Sequence, residues 1–112
     1  MTVASITEQS GRTVIALSGE IDMEEAPKVR RALLDSLKQK RDILVDLAKV
    51  TYIDSSGIAS LIEGLQAARK QKNDLALVCV SQRALRVLEL ARLDKVFTIH
   101  ADLATALAAA KA

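Results

Sequence analysis

Short apolar runs alternate along this chain with segments whose apolar residues return every three or four positions, and no other feature limits its fold so strongly. The runs at residues 13–17, 43–47 and 75–80 are rich in Val, Ile and Leu, and their length suits strands. Between them, Ala26, Val29, Leu33 and Leu37, and then Ile58, Leu61, Ile62, Leu65 and Ala68, keep the spacing of one helix face. Strand–helix–strand alternation joins parallel strands by right-handed crossovers, because the intervening helix carries the chain back across the sheet. The expected class is therefore α/β.

The punctuation between the elements supports the same division. Residues 3–8 and 12–18 read as two strands joined by a Ser10-Gly11 turn, where Gly supplies the positive φ of a tight hairpin. Ser18-Gly19 ends the second strand, and Pro27 falls in the first turn of a helix, where its missing N–H costs nothing. Glu24 and Glu25 complement that helix's dipole, and Lys38, Lys40 and Arg41 suit its end. The third strand, residues 43–47, carries one acid, Asp46. A second helix starts at Asp54-Ser55-Ser56-Gly57 and closes with Arg69, Lys70 and Lys72. The nearly continuous apolar run at 75–80 suits a strand covered on both faces. Ser81 caps a third helix over 83–91, residues 96–99 form a last strand, and Asp102 begins an Ala-rich helix over 103–110. The expectation is one domain over residues 1–112, with a mixed, mostly parallel sheet, an N-terminal hairpin and about four α-helices.

Composition removes several functional classes. A chain of 112 residues buries roughly two-thirds of its unfolded surface, which makes one core and little else. Tyr52 and Phe97 are its only aromatics, so it has no stacking platform for nucleic acid. A net charge of +2 is too small a surplus for binding a phosphate backbone. The lone Cys79 excludes an internal disulfide or a structural zinc knot, and its apolar surroundings suggest a small buried thiol. The N-terminal residues lack the pattern of a signal peptide, and no apolar stretch approaches the ~18 residues of a membrane span. A cytoplasmic protein is expected, without metal or cofactor. Catalysis is not expected either: the sole histidine, His100, has no paired nucleophile motif, and no Gly-rich phosphate loop is present.

The stretch most able to carry function is Tyr52-Ile53-Asp54-Ser55-Ser56-Gly57-Ile58. Two hydroxyls and a glycine stand where a strand gives way to a helix, beside backbone N–H groups and the positive end of the helix dipole. A serine there is a cap, or a place where a phosphoryl group adds ~1.5–2 negative charges against those donors. Residues of this kind also serve simply as helix starts.

Two segments give a resemblance to a known family. Leu17-Ser18-Gly19-Glu20-Ile21-Asp22 and Val50-Thr51-Tyr52-Ile53-Asp54-Ser55-Ser56-Gly57-Ile58, in this order of elements, make the sequence similar to the STAS domain family, and within it to the bacterial anti-sigma factor antagonists. The approach to the last strand, Leu90-Ala91-Arg92-Leu93-Asp94-Lys95-Val96-Phe97, extends the likeness over nearly the whole chain. The resemblance implies a single STAS-like domain without catalytic groups, phosphorylated on Ser55 by a partner. Asp22 then matches an acidic residue beside that site, and Ser56 a helix-start and interface residue. The implied partners are an anti-sigma factor with serine kinase activity, which uses ATP and magnesium, and a serine phosphatase that resets the switch. The alternative within the family is the small cytoplasmic STAS subunit of a lipid-transport ABC complex, docked on an ATPase.

The remaining candidates belong to the same surface. Asp54, Gly57, Ser60 and Glu63 are expected on the partner-binding side of the second helix, where Ser60 and Glu63 equally suit solvated positions. Met23 is either an exposed apolar contact after Asp22 or a side chain folded back onto the core. Gly64, mid-helix, permits close approach of a partner or of a neighbouring helix. Arg83, Arg86 and Arg92 read as solvent-facing charges, or as a patch for phosphate or anionic lipid. The domain is expected to be a monomer or a weak dimer. Phosphate on Ser55 would bring the formal charge from +2 to about zero, an effect concentrated at one helix start.

Overall fold

The structure, a computed structural model, describes residues 2–109. It begins with β1 (Val3–Gln9) and β2 (Arg12–Ile21), an antiparallel hairpin. The register places Gln9 opposite Arg12, so the loop is the two residues Ser10 and Gly11. Both have positive φ, 53° and 79°, as a right-twisted two-residue hairpin requires. Gly11 N–H donates to Glu8 Oε2 at 2.7 Å. Then follow α1 (Ala26–Leu37), β3 (Ile43–Ile53), α2 (Ser55–Lys70), β4 (Leu75–Val78), α3 (Gln82–Leu90), a single 3₁₀ turn at Leu93–Lys95, β5 (Thr98–His100) and α4 (Leu103–Ala108).

The five strands lie in chain order, β1-β2-β3-β4-β5, with every pair after the hairpin parallel. Each crossover therefore moves the chain one strand in the same direction, and crossovers of one hand put their helices on one face. The packing agrees. Val29 and Leu33 of α1, Leu61 and Leu65 of α2, and Ala84 and Leu88 of α3 join Ile15, Val45 and Leu77 in one buried cluster. Alternation turns Val14, Leu44, Ala76 and Val78 to the other face, where Ala106, Leu103 and Leu107 cover them. Arg12 holds α4 there, donating to Ala106 O at 2.8 Å and Ala109 O at 2.9 Å.

The expected α/β architecture holds, and the differences lie at element ends. β2 continues through Ser18-Gly19 to Ile21, and β3 runs to Ile53 rather than stopping near Leu47. Two register shifts, between Ala16 and Ser18 and between Gly19 and Glu20, absorb Gly19 at φ 75° without ending the pairing. β4 pairs only with Ile43–Asp46, so the far halves of β2 and β3 project beyond it as a two-stranded ribbon. β4 ends at Val78 because Cys79 takes φ 53°. β5 starts two residues late: Val96 and Phe97 N–H groups still bond Leu93 O at 3.0 and 3.1 Å, closing the 3₁₀ turn. Residue 110, expected in the last helix, and residues 1, 111 and 112 of the expected domain lie outside the described residues.

Gly64 serves helix packing. A Cβ there would stand 2.8 Å from Leu33 Cδ1 and 3.2 Å from Leu75 Cδ1, so its absence lets α2 rest on α1 and β4. Gly64→Val should lower the unfolding free energy by about 1–3 kcal/mol in urea titration, since overpacking outweighs the helix-propensity gain.

Candidate functional site: the tip of the projecting ribbon

The ribbon delivers two loops to one place. β2 ends at Ile21 and β3 at Ile53, paired in register, and Asp54 N–H donates to Ile21 O at 3.2 Å. Asp22 and Asp54 thus begin the two loops from adjacent strand ends.

Asp54 has extended backbone (φ −106°, ψ −173°) and caps α2. Its Oδ1 accepts from Ser56 N–H at 2.9 Å and Gly57 N–H at 3.1 Å, while its carbonyl accepts from Ile58 N–H at 3.0 Å. Two of the amides expected to face a phosphate are therefore already held by a carboxylate. Ser55, the first residue of α2, is exposed, and its hydroxyl has no hydrogen-bond partner among the described residues. Among the described residues no base is hydrogen-bonded to it, so nothing there activates it as a nucleophile.

Asp22 organises the other loop. Its Oδ1 accepts from Glu24 and Glu25 N–H, both at 3.1 Å, and its carbonyl accepts from Glu25 N–H at 3.1 Å and Ala26 N–H at 2.8 Å. These bonds lead the chain into α1 and leave Met23 at the tip, 74% exposed. Met23 does not fold back onto the core.

Two of the expected surface residues are buried instead. Ser60 is 4% exposed, and its hydroxyl donates to Ala26 O at 3.0 Å and Ser56 O at 3.1 Å, tying α2 to the start of α1. Its polarity suggested an outward side chain, but a hydroxyl that returns to carbonyls can lie inside a helix contact. Gly57 is buried because a Cβ would stand 2.6 Å from Ile53 Cγ1, 2.8 Å from Ile21 Cγ2 and 2.9 Å from Ile21 O. It seats the start of α2 rather than offering a contact. Ser56 is half-buried, and Glu63 is exposed and ion-paired with Arg30 of α1. The site residues the structure brings together at the tip are Asp22, Met23, Asp54, Ser55 and Ser56; Glu63 lies further along α2.

Several contacts were not read from the sequence. Tyr52 is 48% exposed on the ribbon, a position that strand alternation beside buried Ile53 makes readable. Thr2 donates its hydroxyl to Glu25 Oε1, a contact between residues too far apart for any local pattern. Cys79 is half-buried rather than fully buried, and desolvation, then the charge of Asp46, raises its thiol pKa. Its N–H donates to His100 O at 3.2 Å, a backbone contact.

The hydrogen bond from Thr2, then that from Lys28, holds the Glu25 pKa below its ordinary value. The Thr105 N–H does the same for Asp102, the cap of α4. A carboxyl whose folded pKa is depressed stabilises the fold above its unfolded pKa and loses that contribution as pH falls through the folded value. Urea midpoints should therefore fall between about pH 5 and pH 3, and the fall should be shallower in a Thr2→Val/Asp102→Asn variant. Removing the α2 cap by Asp54→Ala should cost about 0.5–2 kcal/mol in the same measurement, and Asp54→Asn much less.

Comparison with known proteins fits this arrangement. The chain is 33% identical over 86 residues to an anti-sigma-B factor antagonist of Listeria monocytogenes, covering 76% of this chain and 75% of that protein. It is 30% identical over 87 residues to the Bacillus subtilis anti-sigma-B factor antagonist, covering 78% and 80%. The crystal structure of an anti-sigma factor antagonist from Mycobacterium paratuberculosis superposes with a TM-score of 0.84 at 27% identity, over 92% of this chain and 88% of that one. The sequence model of the STAS domain matches residues 4–106, and the chain belongs to the STAS domain family.

Proposed function

We propose that this protein is an anti-sigma factor antagonist whose binding is switched by phosphorylation of Ser55. The observation that carries the reading is an exposed, unbonded serine at the first position of a capped helix, on a tip shared with Asp22. In the unphosphorylated state the tip docks on an anti-sigma factor that is also a serine kinase, with Met23 as an apolar contact. The kinase transfers the γ-phosphoryl group of ATP to Ser55 Oγ, magnesium neutralising the phosphates, and ADP leaves. The protein contributes the accepting hydroxyl and its position.

The new dianion stands one residue from Asp54, whose carboxylate already occupies the Ser56 and Gly57 amides. It lacks those two donors, so its charge is directed at the partner, where repulsion and desolvation break the complex. A serine phosphatase restores binding. Such a cycle runs where ATP is present, which places the protein in the cytoplasm. The names of the relatives that span about three-quarters of this chain support the antagonist role.

The test is recovery of the native partner with the unmodified protein, followed by incubation with ATP and phosphosite mapping. One phosphate on Ser55 is expected, and none on Ser55→Ala. Ser55→Asp should fold normally yet bind at least tenfold more weakly, about 1.4 kcal/mol or more. Phosphate retained on Ser55→Ala at one site would refute the assignment. Recovery of a transporter ATPase instead would point to the ABC-complex reading.

A further inference from the structure

The ribbon exposes a second feature that the Ser55 switch does not use. Because β4 pairs with β3 only as far as Asp46, the edge of β3 opposite β2 has no neighbouring strand beyond that point. Ser81 covers its middle, its N–H donating to Leu47 O at 3.3 Å and its hydroxyl to Val50 O at 2.7 Å. Past Ser81, no strand among the described residues pairs with that edge at Thr51, Tyr52 and Ile53. These residues and α3 enclose a groove of about 420 Å³, with Ile53 and Val87 in its lining and Arg83 and Arg86 on the helix side.

The electrostatics of the groove are one-sided. Arg83 and Arg86 are exposed, and neither forms an ion pair among the described residues, although Glu89 lies one turn beyond Arg86. No acidic residue lines the groove. An unpaired strand edge accepts an extended peptide through main-chain hydrogen bonds, while flanking side chains choose its sequence. Side chains three apart on a helix stand about 5–6 Å apart. Alternate residues of a strand repeat every 6–7 Å or so, close enough for one carboxylate to meet each guanidinium.

We propose that this groove binds an extended acidic segment of a partner protein, which adds a strand to β3 at Thr51–Ile53 and places alternate carboxylates on Arg83 and Arg86. The segment is short, about four or five residues, because the open edge spans only three. Its residues between the acids turn to the other face of the added strand, the face on which Tyr52 is exposed. The site stands on the groove alone and does not require Ser55 to be phosphorylated.

The experiment titrates the ¹⁵N-labelled protein with acetyl-Thr-Glu-Val-Glu-Val-Glu-Thr-amide and follows backbone amide shifts. Saturable shifts centred on Thr51, Tyr52, Ile53, Arg83 and Arg86 are expected, with a Kd of about 0.1–1 mM. Arg83→Gln/Arg86→Gln should weaken binding at least tenfold while leaving the remaining spectrum intact. N-methylation of alternate peptide amides, on the set that faces β3, should weaken it as much. No saturable shift up to millimolar peptide, or equal shifts with Lys in place of Glu, would overturn the proposal. It would also fall if inorganic phosphate or phosphatidylglycerol vesicles moved the same amides as strongly, since the groove would then take any anion. Because no anti-sigma factor is used, this result and the Ser55 result stand or fall separately.

Discussion

The close seating of α2 on the ends of β2 and β3 fixes everything at the end of the molecule that carries Ser55. Gly57 admits no Cβ there, and one of the atoms in the way, Ile21 O, is backbone that cannot swing aside. One turn on, Ser60 spends its hydroxyl on Ala26 O and Ser56 O. A further turn on, Gly64 lets Leu33 and Leu75 fill the space a side chain would take. These three small residues leave a groove along one side of α2, so α1 and the ribbon can approach its backbone. The position of Ser55 is thus set by packing beneath the helix rather than by contacts of its own.

Most of the fold could be read from the periodicity of the chain, because its strands and helices differ sharply in apolar spacing. The hairpin at Ser10-Gly11, Pro27 in the first turn of α1, and Ser81 and Asp102 as caps are local signals, and local signals survive in sequence. The lengths of β2 and β3 did not, because Ser18-Gly19 ends strands in most settings and continues this one only through a parallel-sheet irregularity. At the site, Asp54, Ser55 and Asp22 were recognisable as a motif, and Met23 as an exposed apolar residue. Ser60 and Gly57 were misplaced for one reason: small residues carry little hydropathy, so pattern alone cannot distinguish an exposed position from a tight contact. Only the packing of α1 against α2 decides it.

The ribbon also explains how so small a domain presents two surfaces. A sheet of equal strands would end in loops alone, with both edges of β3 paired. Here the short β4 leaves part of β3 uncovered just before the tip, and α3 lines that space without closing it. Asp22 and Asp54 crowd acidic charge at the tip, while Arg83 and Arg86 leave the neighbouring groove basic. With a net charge of only +2, such local contrasts, rather than an overall field, give the surface its character.

The clasp between Arg12 and the carbonyls of Ala106 and Ala109 joins positions 94 and 97 residues apart. During synthesis, the second strand emerges long before its partners, and its guanidinium must wait until α4 is made. Until α4 arrives, Val14, Leu44, Ala76 and Val78 form an uncovered apolar sheet face. The helix-covered face can assemble stepwise as each crossover is made, but its opposite can close only once. The nascent domain therefore passes through a half-dressed stage that lasts until α4 has been made and docked, and whose sticky side is turned away from the three crossover helices.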